Sequence, residues 1–381
     1  MSITKSLVLR VLAVAVSSCL VPDLHSQTLI WDANTTTAGQ PAGAGQWFGV
    51  NQWFDGTNNA TWSNSGAEIA QLGAAGAALV SGNTITITGA TAANVGGINF
   101  MSLASAPGST NQFTLAGATG GTLNFATNAI VQAQETTSTG SNFITFASSL
   151  ALTGNGLTFQ KFTGSGTTTQ FIRVDGTSNP GLTGTLTIKG NDGGIFLRSA
   201  TATTFGAMSG VVVEANSAFS ATGGGSYTVP ISIAGFGGAS QYGAIRVDTS
   251  STTFTQPITL TADAGIQTNL GGVTGTVLAG GVTGGFGFTR FATGAGTGTL
   301  AITGVSNYTG TTTLGRLGAF TGGVTILDFA NSSTTTDLIY NGVTANNVSF
   351  IGGNNSATVL RLNGKADTVN SQALGNISVG G

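Results

Sequence analysis

Sulfur and imidazole are almost missing from this sequence. Cys19 is the only cysteine and His25 the only histidine in 381 residues, and both fall within the first 26. From Gln27 onward there can be no disulfide, no thiolate nucleophile, no histidine base and no zinc site built on these ligands. Charge is scarce too, at 6% of residues with a net of −2, where globular chains carry about 25% charged residues. The eleven lysines and arginines stand singly in the sequence, without a run or stripe. That excludes a basic nucleic-acid footprint. Glu and Lys are few and no apolar stripe of period 3.6 follows residue 26, which excludes a helical bundle. Proline occurs six times, so the chain is not a proline-rich linker.

Glycine, by contrast, occurs 61 times, and 40% of residues are hydrophobic. That much apolar surface must be buried, which argues against disorder. Thr, Ser and Asn take over the solvating role that charged residues usually fill. Short alternating segments bounded by glycine follow one another: Thr84–Gly89, Gln112–Leu115, Thr122–Phe125, Phe143–Phe146, Gly184–Ile188, Val211–Glu214, Thr228–Ile233 and Ala244–Val247. Period two with β-branched residues predicts half-buried strands. The aromatics among them are mostly Phe, which suits a dry stacked interior.

One unit organises this texture. In Gly296–Gly315, Leu300 and Ile302 share one strand face and Ala301 takes the other. Ser306-Asn307-Tyr308-Thr309-Gly310 is turn chemistry, and Thr311–Leu314 begins a second strand. The unit recurs about 128 residues upstream, with Ile172 against Leu300, Val174 against Ile302, Gly176 against Gly304 and Asn179 against Asn307. Phe159-Gln160-Lys161-Phe162 pairs likewise with Phe288-Thr289-Arg290-Phe291. Repeats of short strands predict a solenoid. These stretches, clearest at 157–190 and 286–315, resemble the autotransporter-associated β-strand repeat, also called the passenger-associated transport repeat. The resemblance implies a right-handed parallel β-helix on an exported, surface-associated protein of a Gram-negative-type bacterium. It implies no particular ligand.

The expected organisation is a leader over 1–26, an N-terminal β cap over 27–100 and a solenoid over 101–381. Lys5 and Arg10 precede the apolar run Val11–Val21, and Pro22 breaks it, as in a secretory signal. The run is too short to span a bilayer. Cleavage near Ser26 and lipidation at Cys19, within Val16-Ser17-Ser18-Cys19, are both open. All four tryptophans, Trp31, Trp47, Trp53 and Trp62, lie in the cap region. They are expected to plug the open end of the solenoid; the other reading makes them a glycan-stacking platform. No long-stranded membrane barrel follows, so the chain is expected to be either a fragment or a passenger without its own barrel.

Of thirteen acids, Asp23 belongs to the leader, and the others are spread singly. A glycosidase needs two carboxylates about 5–9.5 Å apart, and no Asp-Asp pair suggests one; Asp175 and Asp192 sit before glycines, as turn residues do. The glycine clusters lack the Gly-Lys-Ser/Thr ending of a phosphate loop. The expectation is therefore an exported, non-catalytic β-solenoid, structural or adhesin-like. No catalytic residue, cofactor or metal is expected, and extracellular polysaccharide or another cell surface is the expected partner. The alternative is a carbohydrate-active or carbohydrate-binding β-helix. At 20–25 residues per turn the stack would measure roughly 70–85 Å.

Overall fold

In the computed structural model the described residues are 26–37, 39, 43–74, 77–78, 83–101, 103–104, 111–134, 143–163, 169–191, 193–238, 242–248, 251–268, 275–293, 298–317, 320–340, 343–352 and 357–380. The expected leader, with Cys19 and His25, lies outside them except for Ser26. The described residues are strand and turn almost throughout; their one helical element is the 3-10 turn Phe329–Asn331. No helix among them is long and apolar enough to cross a membrane.

The chain coils into a β-solenoid of about nine turns. Each strand pairs in parallel with the strand one turn away, so like positions stack directly. One inward column runs Ala70, Ile98, Val131, Phe159, Ile188, Val213, Ile233 and Leu260. A second runs Ile85, Leu115, Phe146, Val174, Ser199, Ala221, Val247, Thr268 and Ala292. A third, in a separate six-stranded sheet, runs Tyr227, Phe254, Leu278, Ile302 and Leu327. All these residues are buried. Period-two alternation sends every second side chain inward, where it meets its equivalent from the next turn about 4.8 Å away. The columns therefore form one continuous dry core.

The turns are uneven. They take 24 residues between Phe254, Leu278 and Ile302, only 20 between Val213 and Ile233, and 41 between Thr28 and Ile69. Longer turns make fewer of them, so the stack is shorter than the sequence suggested. Stacking also starts before residue 101: Thr28–Trp31, Ile69–Leu72 and Ala93–Phe100 already pair in parallel. Antiparallel pairing is confined to a few places, chiefly Trp53–Phe54 with Thr28–Trp31 and with Asn59–Ala60.

The internal repeat falls on different faces. Gln170–Val174 belongs to the large sheet, while Thr299–Ile302 belongs to the six-stranded one. Following the register turn by turn, Ile172 leads through Leu197, Phe219, Ile245 and Ile266 to Arg290, not to Leu300. Every face of a solenoid asks for the same alternation of apolar and small polar residues, so a slip by one face leaves no trace in the sequence pattern. The segment expected to be a polar turn, Ser306–Gly310, instead holds the short strand Asn307–Tyr308, paired in parallel with Thr283 and Gly284, with Ser306 and Tyr308 buried. The bends fall at Gly304 and Gly310 on either side. A Cβ at Gly304 would lie 2.2 Å from the Ala279 carbonyl oxygen, and one at Gly310 would lie 2.3 Å from the Gly287 nitrogen. Glycine is there because neighbouring turns touch backbone to backbone.

Leu300 and Ile302 are fully buried, as alternation predicts, but Ala301 is only 8% exposed. It still faces outward. Its register partners, Val277 and Ile326, are larger and overhang it. Leu300→Asp should therefore cost several kcal/mol by burying an unpaired charge, whereas Ala301→Asp should cost much less, because its carboxylate can reach solvent past two half-buried neighbours. Thermal unfolding of the two variants checks this; equal losses would contradict the inward and outward assignment.

Tyr308 of the same turn gives a second expectation. Its hydroxyl lies 2.5 Å from the Thr312 hydroxyl, and burial pushes the phenol up to about 12 from an ordinary 10. The unfolded chain ionises first, so stability should fall as pH rises from about 10 to 12, by roughly 2–3 kcal/mol. Burial raises Tyr227 as well. Tyr308→Phe should thus flatten the alkaline loss measured by denaturant titration without removing it, and an unchanged slope would place the phenol in solvent.

Candidate functional site

The carboxylates come first, since they carry the enzymatic alternative. Asp32 accepts from the amides of Asn34 and Gly39, Asp55 from those of Thr57 and Asn58, and Asp263 from that of Gly287. These bonds hold the Asp55 carboxyl below its ordinary range. Glu68 accepts from the Ser65 hydroxyl, Asp328 from the amides of Asn331 and Asn363, and Asp337 from the Ala373 amide. These acids are turn and edge fasteners. Asp192 lies outside the described residues, and among the described residues no three His, Cys, Asp or Glu side chains gather as a metal site requires.

The four tryptophans come together, and they do so inside. Trp31, Trp47 and Trp53 are fully buried and Trp62 nearly so. Ring centroids stand 4.7–5.4 Å apart in edge-to-face and tilted contacts. Three indole nitrogens donate to backbone carbonyls: Trp31 to Gly43, Trp53 to Trp47 and Trp62 to Asn94. Such a cluster covers the first turns as a plug does. A stacking platform would need coplanar exposed rings, and the arrangement offers none.

A different set of residues is assembled on the outside of the large sheet. The strands Gln170–Val174, Ile195–Ser199, Ala218–Ala221 and Ile245–Val247 lie on consecutive turns. Their register aligns Arg173, Arg198, Ser220 and Arg246 in one column. Inward residues of the same strands, Ile172, Leu197 and Ile245, are buried in the core, so the arginines face out. Arg173 donates through Nε to Asp175 at 2.6 Å, and Arg246 through Nε to Asp248 at 2.6 Å. Asp248 also accepts from the Ser220 hydroxyl at 2.7 Å.

Aromatic rings flank the column. Phe171 and Phe196 are neighbours by register, with centroids 5.1 Å apart, and Tyr242 packs on both, at 6.4 and 5.3 Å. The Arg246 guanidinium lies 4.4 Å from the Tyr242 ring centre and 5.4 Å from that of Phe196, a cation–π pairing. Tyr242 reaches this place because its loop closes at the base, where the Gly243 amide donates to the Phe236 carbonyl. At the other end of that base, Phe236 joins Phe291 and Phe320 around the Arg316 guanidinium.

The sequence does not show this column, because its arginines are 25 and 48 residues apart. The readable trace is Ile-Arg-Val-Asp, which occurs at 172–175 and again at 245–248. It was hidden because turn lengths vary, so no fixed period links the two copies. The column corrects the expectation of basic residues without a stripe: the stripe exists across turns, not along the chain.

Two further cations point the other way. Lys161 and Arg290 are fully buried. Arg290 occupies an inward column between Ile266 and Leu314 and donates to the carbonyls of Gly298 and Gly322 and to the Thr268 hydroxyl. Burial pushes the guanidinium down to about 9, so it remains charged at neutral pH. It ties together chain segments at one corner of the coil, and its role is structural. Comparison of the chain with protein-family models, with curated proteins and with solved structures finds no match in any of the three.

Because the indoles are buried, acrylamide should quench tryptophan fluorescence only weakly, and added glycans should leave the emission unshifted. Strong quenching with a glycan-dependent shift would return the rings to the surface as a platform.

Proposed function

We propose that this chain is an exported, non-catalytic β-solenoid that serves at the cell surface or in the extracellular matrix as a structural or adhesin-like passenger. The observation that carries the reading is the unbroken parallel stack itself. Its turns are joined by backbone hydrogen bonds and a dry core, without help from disulfides or abundant charge. Such a body is stiff and stable outside the cell, and it presents long flat faces. Supporting it are the signal-like segment 1–26 and the resemblance of 157–190 and 286–315 to autotransporter-associated repeats. The engagement of eight acids in turns and ion pairs supports a non-catalytic role.

A second reading, carbohydrate binding, is favoured by one specific observation: the arginine column beside Phe171, Phe196 and Tyr242. This is a surface reading and sits within the first. A carbohydrate-cleaving enzyme is the rival that both must exclude.

Export is tested by producing the whole chain in a Gram-negative host and fractionating it. The expected result is a leader removed near Ser26, or an acylated Cys19, with the protein accessible to added protease on intact cells or found in the medium. A cytoplasmic product retaining Met1 would overturn the proposal. Incubation with a panel of polysaccharides should release no oligosaccharide; release abolished by replacing one carboxylate would establish the enzyme instead.

A further inference from the structure

We infer that the arginine column at Arg173, Arg198 and Arg246 is a binding site for an extended acidic polysaccharide laid along the solenoid axis. The inference deepens the surface role proposed above and rests on it.

Three features of the column point to this ligand class. The first is spacing. Successive turns present equivalent groups about 4.8 Å apart, close to the length of one sugar residue in an extended chain. Arg173 and Arg198 stand on adjacent turns, and Arg246 stands two turns further, with Ser220 between. The column therefore offers cationic groups one glycan residue apart at Arg173 and Arg198 and two residues apart at Arg198 and Arg246, the intervening Ser220 being buried beneath them.

The second is orientation. Asp175 and Asp248 engage their arginines through Nε. Each aspartate fixes the guanidinium plane from one edge, and the terminal nitrogens extend beyond it. A guanidinium held in this way suits bidentate contact with a carboxylate. The side chains are not sunk in the protein, since Arg173 is 40% exposed and Arg246 is 19% exposed.

The third is the mixture of groups. Phe171 and Tyr242 give half-buried ring surface for the apolar faces of sugars. Asp175 and Asp248, both partly exposed, add acceptors for hydroxyls. A polyphosphate or nucleic acid would want a denser cationic field without neighbouring acids. A neutral glycan would have no use for three aligned arginines. A uronate-type polysaccharide uses all of these groups, its carboxylates meeting the arginines and its hydroxyls meeting the aspartates.

The test uses the purified full-length secreted protein in affinity electrophoresis through gels containing polygalacturonate, dextran or inorganic polyphosphate. Polygalacturonate should retard the protein, less so as salt is raised, and dextran should not. Arg173→Gln should weaken the retardation by about tenfold or more, and Tyr242→Ala should weaken it as well. Both should melt with the parent, and Arg361→Gln, an exposed arginine on the six-stranded sheet, should bind like the parent. Should Arg246→Gln disturb folding, the better-exposed Arg173 still decides the matter. No retardation by polygalacturonate overturns the inference, as does equal retardation by dextran or polyphosphate, or retardation that Arg173→Gln leaves unchanged. Binding is read on purified protein, so its failure leaves export standing, and a failure of export leaves the binding result standing.

Discussion

Everything in this structure depends on parallel pairing of like positions from one turn to the next. A strand in such a stack gives its hydrogen bonds to two neighbours and its inward side chains to the same two neighbours. Each column must therefore be compatible with itself, residue after residue. The columns from Ala70 to Leu260 and from Ile85 to Ala292 meet the requirement with Ile, Leu, Val, Phe and small residues. Residue size varies along a column, as in the run Val174, Ser199, Ala221, Val247. The tryptophan cluster packs against the first described strand, Thr28–Trp31, and buries its own rings there.

The same rule governs the outside. An outward residue is also repeated at the turn spacing, so a chemical group that appears once in the sequence becomes part of a file. On one face the files are amides: Asn94, Asn124 and Thr153 hydrogen-bond from turn to turn, as do Asn99, Gln132 and Gln160. These ladders consume their own polar groups and stiffen the coil. On the neighbouring face the file is Arg173, Arg198, Ser220 and Arg246, and here like charges are brought close together. Asp175 and Asp248 offset that repulsion locally, and the rings of Phe196 and Tyr242 take up the guanidinium face of Arg246. The cost of stacking like charges makes this file the exception in a chain so poor in charge.

Buried cations show the opposite solution. Arg290 stands where Ile266 and Leu314 stand one turn either side, and it is held by carbonyls and a hydroxyl instead of a carboxylate. Desolvation depresses its proton affinity, but its fork of donors compensates by bonding the Gly298 and Gly322 carbonyls and the Thr268 hydroxyl.

The sequence by itself determined the fold class. Alternation in Thr84–Thr88, Phe143–Phe146 and Leu182–Lys189, glycine at the turns and the poverty of charge leave few architectures besides a stacked β coil. It also determined the burial of Leu300 and Ile302, because period two is a local property. Only the tertiary structure decided which face each strand joins. Ile172 and Leu300 look equivalent in sequence yet belong to different sheets, since all faces share one pattern and turn length follows from corner geometry. The tertiary structure likewise decided that Trp31, Trp47, Trp53 and Trp62 pack on one another, and that Ala301 is shaded by Val277 and Ile326. It alone aligned Arg173, Arg198 and Arg246, because the distance that matters to a ligand is one turn of the coil, and the number of residues in a turn is not constant along the chain.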